Sequence, residues 1–230
     1  MGEILSANGI DGVVRKDVPD SVISRLPIYL ESVETFTTAG RSIVSSEALA
    51  ARSGVSPSIL RKDLSHLGGP GRRGVGYSCA DLALTLRSFL GLDRSRTVAI
   101  IGAGRLGSAL ADYAGFRRRG LELVAIFDVD EAKIGTTIGS LPVSDLGELE
   151  AWPQGIDLVV MATPVSAAQS ATARAVDAGV RGILNFAPTV LDVPDSVRVH
   201  QVDLASELQA LAYYSALDSV ELDPVEEHRN

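Results

Sequence analysis

One cysteine, three histidines and aromatics at 5% of 230 residues leave several kinds of site without material. Cys79 alone forms no internal disulfide, and His66, His200 and His228 are too scattered to build a zinc site with it. No metal is expected. No stretch approaches the roughly 18 to 20 apolar residues of a membrane span. Residues 1–16 also lack the basic, apolar, small-residue order of a signal peptide. The chain therefore reads as cytoplasmic with no membrane partner, and any redox role must come from a bound cofactor. Its 46% hydrophobic content suffices for a sizeable core in one or two domains, which excludes a disordered or fibrous protein.

A net charge of −8 argues against nucleic acid, but the charge is unevenly placed. Residues 1–93 hold ten basic and ten acidic side chains, whereas residues 94–230 hold eleven and nineteen. Within the neutral half, Arg52, Arg61, Lys62, Arg72 and Arg73 stand against Asp63 alone. A local patch of that sign steers a polyanion whatever the total.

Residues 1–20 are polar and aperiodic and read as a flexible arm ending in a helix cap. Val22, Ile23, Leu26, Leu30, Val33 and Phe36 then recur at helical spacing, with Pro27 predicting a kink or a late start. Ser45, Ser46 and Glu47 open a helix that Gly54 closes; Ser56 caps the next, with Pro57 as its first residue. Helix, glycine turn and helix make the helix-turn-helix outline. In the second helix Leu60, Leu64 and Leu67 share one face and Ser58, Arg61, Lys62 and Ser65 another. Any surface helix can show such a face to solvent. The glycine-rich segment 68–77 that follows carries Arg72 and Arg73 at its tip and fits a short hairpin wing, and together they form a coherent DNA-reading surface. A further helix spans residues 81–91, and residues 92–96 read as a linker.

Residues 97–101 form an apolar strand that runs directly into Gly102, Ala103, Gly104, Arg105, Leu106 and Gly107, then a helical stretch. This is GxGxxG in a strand, turn and helix setting. A second strand, 121–127, ends in Asp128 at the spacing of the acid that binds the adenine ribose in NAD-binding folds. The glycines let backbone approach a pyrophosphate, and the Asp128 carboxylate would repel a 2′-phosphate, favouring NAD(H) over NADP(H). Later strands are expected at 156–161, 182–185 and 197–202, with a helix at 166–178. The ends of two of these strands carry Thr163 and Pro164, and Asn185 and Phe186, in loops that would line the ligand crevice. A last apolar helix, 203–217, needs a cover, either its own sheet or a second subunit; an acidic tail, 218–230, reads as disordered.

Taken together, the sequence resembles the Rex family of redox-sensing transcriptional repressors from residue 23 to about 213. The resemblance rests on Ile23 to Pro27 (ISRLP), Leu60 to Ser65 (LRKDLS), Arg73 to Tyr77 (RGVGY), the GxGxxG unit with Ala111 to Phe116 (ADYAGF), Ile183 to Pro188 (ILNFAP) and Val202 to Leu204 (VDL). It implies an α/β chain in three parts. These are a winged helix-turn-helix DNA-binding domain (21–92), a Rossmann-type NAD(H)-binding doubly wound parallel sheet (93–204) and a C-terminal helix (205–217) swapped between the subunits of a homodimer. It further implies a repressor that holds a palindromic double-stranded operator and leaves it when NADH binds, answering the balance of NADH and NAD+. Arg61 and Lys62 would then work in the major groove and Arg73 in the minor groove, while Tyr113 and Asp203 would meet near the nicotinamide. Taken without the resemblance, Tyr113 is a packing residue of its helix and Asp203 a helix cap. The chain departs from the family in having Gly69, Pro70, Gly71 and Arg72 where Ser-Tyr-Gly-Thr is usual in the wing, and Glu31 where an arginine is common.

The rival reading is an NAD-dependent oxidoreductase with an accessory N-terminal domain, since one cofactor motif serves both. No catalytic residue is assigned, because only 26 residues follow Leu204 and no histidine has a catalytic setting. A nucleotide- or CoA-binding interaction module is a weaker rival. Cys79 reads as a small packing residue.

Overall fold

The structure, a computed structural model, describes residues 18–69, 71–72, 74–153 and 155–220, with no side chain beyond residue 216. The expected arm up to residue 17, Pro70 and Arg73 of the expected wing, and the acidic tail from residue 221 lie outside them. Contacts divide the chain into two units between Arg94 and Ser95.

The first unit opens with two helices where periodicity suggested one, α1 (Asp20–Ile23) and α2 (Leu26–Thr38). Pro27 stands in the first turn of α2, where its missing N–H would have had no partner, so the chain restarts there instead of kinking. A two-residue strand β1 (Ile43–Val44) leads to α3 (Ser46–Ser53) and α4 (Pro57–Ser65). Ser45 and Ser56 cap these helices by accepting from the Ala48 and Ile59 N–H groups, and Gly54 closes α3 at φ +69°. Strand β2 (Tyr77–Ser78) pairs antiparallel with β1. Helix α5 (Cys79–Phe89) begins two residues ahead of expectation, because the Ser78 hydroxyl accepts from the Asp81 N–H. Leu26, Val33, Leu49, Leu60, Leu82 and Leu86 from four helices fill the core at 0% exposure, each contributing about 1.5 to 3 kcal/mol. Cys79 is buried among them, and burial pushes its thiol pKa up, which makes it a packing residue.

The second unit is a seven-stranded sheet ordered β5-β6-β4-β3-β7-β8-β9. Its parallel strands are β3 (Arg96–Ile101), β4 (Leu121–Asp128), β6 (Leu141–Asp145), β7 (Leu158–Met161), β8 (Gly182–Asn185) and β9 (Arg198–Gln201). Helices α6 (Arg105–Ala111) and α7 (Gly115–Arg118) connect β3 to β4, and α8 (Val165–Asp177) connects β7 to β8. Without its antiparallel edge strand β5 (Thr137–Ile138), this is the Rossmann order with its reversal between β3 and β7. The β5–β6 hairpin and the 3-10 turn Leu146–Ala151 escape sequence reading. Strand β6 contains Pro142, and β5 is too short to show a period.

Helix α9 (Leu204–Val220) runs three residues beyond the expected end, since neither glycine nor proline interrupts it. Every described side chain on it is exposed, Leu204, Leu208, Leu211, Tyr213 and Tyr214 by 62 to 66%.

Asp63 is the one acid on α4, and at 2% exposure it is the residue that fixes this helix. The Arg25 guanidinium reaches it with two bonds, Nε at 2.7 Å and Nη2 at 2.9 Å, and the Tyr29 hydroxyl donates at 2.6 Å. Burial works against the charge, but Arg25 and Tyr29 hold the carboxyl below its usual value of 3.8. Tyr29 is pushed up to about 12, first by burial and then by its bond to Asp63. Asp63→Ala strands Arg25 and Tyr29, and should destabilise the first unit by about 3 kcal/mol. Tyr29→Phe, which removes one bond, should cost about 1.5 kcal/mol. Urea unfolding followed by pH will check the signs. The depressed Asp63 stabilises above pH 3.8 and loses its contribution as pH falls below that value. The raised Tyr29 contributes fully below pH 10, and that contribution is lost as pH climbs from 10 towards 12.

Candidate DNA-reading surface and nucleotide site

With Leu60, Asp63, Leu64 and Leu67 turned inward, α4 presents Ser58, Arg61, Lys62 and Ser65 outward, all exposed. Arg61 lies 3.4 Å from Glu47 with both side chains more than half exposed, a pair too weak to hold it from a phosphate. The Ser58 and Ser65 hydroxyls are tied locally, to Ser56 Oγ and to the Lys62 carbonyl. Arg52, exposed on α3, donates to Thr35 Oγ1 and lies 6.0 Å from the centre of the Phe36 ring, both on α2.

Among the described residues of the expected wing, an antiparallel bridge joins Arg72 to Gly76, and Arg72 is exposed. Two glycines are required by packing, since a Cβ on Gly76 would stand 2.4 Å from the Val44 carbonyl oxygen and one on Gly71 would strike the Tyr77 ring. A groove of about 580 Å³ runs between the wing, the start of α3 and the C-terminal half of α4, lined by Ser46, Arg61, Ser65 and Arg72 among others.

In the second unit the loops after β3 and β7 diverge at the sheet's reversal, which opens a crevice at the carboxyl ends of the strands. Gly102 has φ +108° and packs against the Ala162 carbonyl, and a Cβ on Gly107 would lie 1.9 Å from the Gly102 oxygen. Gly104 is different. A Cβ there would meet nothing within 4 Å, so the protein itself does not demand glycine at this position. It is the N-cap of α6 and supplies no side-chain cap, leaving first-turn N–H groups for an anion. Across the crevice the Thr163 hydroxyl is buried without a hydrogen-bond partner. An open cradle at Gly104 and an orphaned hydroxyl at Thr163 fit a bound dinucleotide, with Ala103, Arg105 and Leu106 on one wall and exposed Pro164 on the other.

Asp128 stands at the end of β4, but its carboxylate is already engaged. Oδ2 accepts from the Ala103 N–H at 2.7 Å and the Lys133 ammonium at 3.0 Å; Oδ1 accepts from the Val129 and Asp130 N–H groups. Burial opposes the charge, but the Asp130 N–H, Lys133 and the Ala103 N–H hold its pKa below the usual carboxylate value. The carboxylate that spacing marks as repelling a 2′-phosphate is thus paired with a cation, Lys133, which sequence reading missed.

Asn185 is fully buried. Its amide donates to the Thr189 carbonyl and Gln201 Oε1 and accepts from the Ala187 N–H, so it shapes the loop carrying half-buried Phe186 and is not a free ligand amide. Tyr113 is 52% exposed and meets Phe116 edge to face. Asp203 caps α9, accepting from the Ala205 and Ser206 N–H groups and the Ser206 hydroxyl, which lower its pKa. Among the described residues no cluster of His, Cys, Asp or Glu could hold a metal, and no helix is long and apolar enough to cross a membrane.

A family described as "CoA binding domain" matches residues 93–189, and one described as "Putative DNA-binding protein N-terminus" matches residues 14–65. The redox-sensing transcriptional repressor Rex of Streptomyces avermitilis is 45% identical over 201 residues, covering 86% of this chain and 80% of its own length. That of Geobacillus kaustophilus is 39% identical, covering 86% and 93%. The chain belongs to the Rex family. A solved Rex-family repressor, RSP, in complex with NAD+ and operator DNA superposes with a TM-score of 0.81 at 35% identity, covering 88% of this chain and 94% of its own. RSP with NADH gives 0.76 at 33% identity, covering 89% and 97%. The winged-helix and Rossmann-type assignment holds for both units.

The three glycines of the loop should separate by experiment. Gly107→Ala should fail to fold its unit normally, because its Cβ overlaps backbone. Gly104→Ala should keep the parent's melting temperature and lose nucleotide affinity by about tenfold or more, read by NADH fluorescence. Unchanged affinity in folded Gly104→Ala protein would place the nucleotide elsewhere.

Proposed function

We propose that the chain is a redox-sensing repressor that binds a palindromic double-stranded operator as a homodimer and releases it when NADH binds. One observation carries this reading: a single chain joins an exposed, cation-bearing recognition helix to an uncapped glycine turn at a sheet reversal. The solved relative that holds NAD+ and operator DNA together supports it. The close relatives are named repressors, which speaks against the oxidoreductase alternative. Such a regulator works in the cytoplasm.

Residues 21–92 would read DNA, with Arg61, Lys62, Arg72 and Arg73 supplying charge and Ser58 and Ser65 hydroxyl contacts. Residues 93–204 would hold NADH or NAD+ through the backbone of Gly102 to Gly107, with Asp128 at the ribose and Thr163, Pro164 and the Asn185–Phe186 loop on the facing wall. The exposed apolar side chains of α9 need a second copy of the chain, and exchange of α9 between subunits would cover them. Tyr113 and Asp203 would then meet near the nicotinamide.

Selecting duplexes from a randomised pool, then titrating NADH and NAD+ against the bound DNA, tests the function. Palindromic sequences released by NADH far more readily than by NAD+ are expected; duplexes insensitive to both would overturn the reading. Lys62→Ala should weaken DNA binding by about 1 to 3 kcal/mol and leave NADH affinity intact. Because Asp203 also caps α9, coupling is better tested with Asp203→Ser, which keeps a capping oxygen. This variant should bind DNA yet respond weakly to NADH, and full release would leave Asp203 as a cap alone.

A further inference from the structure

The Asp128 carboxylate has no acceptor position to spare. Its two oxygens take four donors, three of them backbone N–H groups that cannot leave without unfolding the glycine loop or the turn after β4. The fourth, the Lys133 ammonium, can leave, since its side chain is 39% exposed. Its backbone is held: the Lys133 N–H donates to the Asp130 carbonyl, its own carbonyl accepts from the Thr136 N–H and hydroxyl, and the Gly135 N–H is bonded to β6. A turn held by its backbone hydrogen bonds thus presents a partly exposed cation beside the glycine loop, between Asp128 at 3.0 Å and Asp130 at 3.6 Å.

We propose that Lys133 is a second selectivity determinant for the 2′ position of the bound adenosine, acting through Asp128. This rests on the nucleotide reading of the crevice. A ribose hydroxyl that donates to Asp128 must take the acceptor position the ammonium holds, so Lys133 competes with the unphosphorylated sugar. For a 2′-phosphate the effect reverses. The displaced ammonium stays within reach and offsets part of the Asp128 repulsion, as a cation beside a carboxylate does for any incoming anion. Selectivity is therefore the difference between two opposite charges held about 3 Å apart, and either can be removed separately.

Affinities for NADH and NADPH are to be measured by fluorescence titration of the full chain, the Lys133→Met and Lys133→Arg variants, and Asp128→Asn. Lys133→Met should bind NADH at least as tightly as the parent and NADPH more weakly, raising the NADPH to NADH ratio of dissociation constants by about tenfold. Lys133→Arg should stay near the parent and Asp128→Asn should lower the ratio. Equal weakening of both nucleotides in Lys133→Met, or an unchanged ratio, would overturn the inference and leave the nucleotide site standing. Failure of the parent to bind either nucleotide would overturn the site reading, and this inference with it.

Discussion

The buried carboxylate of Asp63 is the interaction on which the DNA-reading half depends. Helix α4 has nine residues and only one apolar stripe, and an amphipathic helix that short can roll on its leucines. A carboxylate with three directed bonds from Arg25 and Tyr29 cannot roll without breaking them. The rotation of α4 is set by that geometry, and with it the direction in which Arg61 and Lys62 point. Arg25 sits in the joint between α1 and α2, so the same contact also fixes where the proline-started helix begins.

The nucleotide half repeats the device with different donors. Asp128 ties the glycine loop, the end of β4 and the following turn into one piece by accepting from Ala103, Val129, Asp130 and Lys133. In both units a buried aspartate with every donor accounted for holds the working surface in shape. The two differ in what can leave. Around Asp63 every partner belongs to the fold, whereas around Asp128 one partner is a solvent-facing lysine, which leaves room for exchange with a ligand.

Much of this was legible in sequence because it depends on local rules. Caps at Ser45 and Ser56, the left-handed Gly54, the inward leucines of α4 and the strand, turn and helix of the glycine loop each follow from neighbours within a few residues. The partnership of Asp63 with Arg25 and Tyr29 spans 34 to 38 residues, and no spacing rule connects them. There was one signal, an acid three residues after Leu60 on the apolar stripe, where a charge needs a buried partner. Asp128 shows the opposite failure. Its position was read correctly from the motif spacing, but its electrostatic state depends on Lys133, which the motif does not specify. The β5–β6 hairpin was missed because its edge strand β5 has two residues, too few to show alternation, and β6 is interrupted by Pro142. For Asn185 the sequence shows a polar side chain at the end of a strand but not that its amide is engaged by Thr189 and Gln201.

The charge distribution bears on how the two halves can oppose each other. All of the −8 net charge resides in residues 94–230, so that half repels a DNA backbone, and the cations that draw DNA, Arg61, Lys62 and Arg72 among the described residues, belong to the other half. A coupling of about 1 to 3 kcal/mol, typical between two sites, weakens operator binding by about 5- to 150-fold whatever supplies the affinity itself. A more basic chain would bind DNA more tightly, and at a given repressor concentration the same fold-weakening by a nucleotide would clear less of the operator.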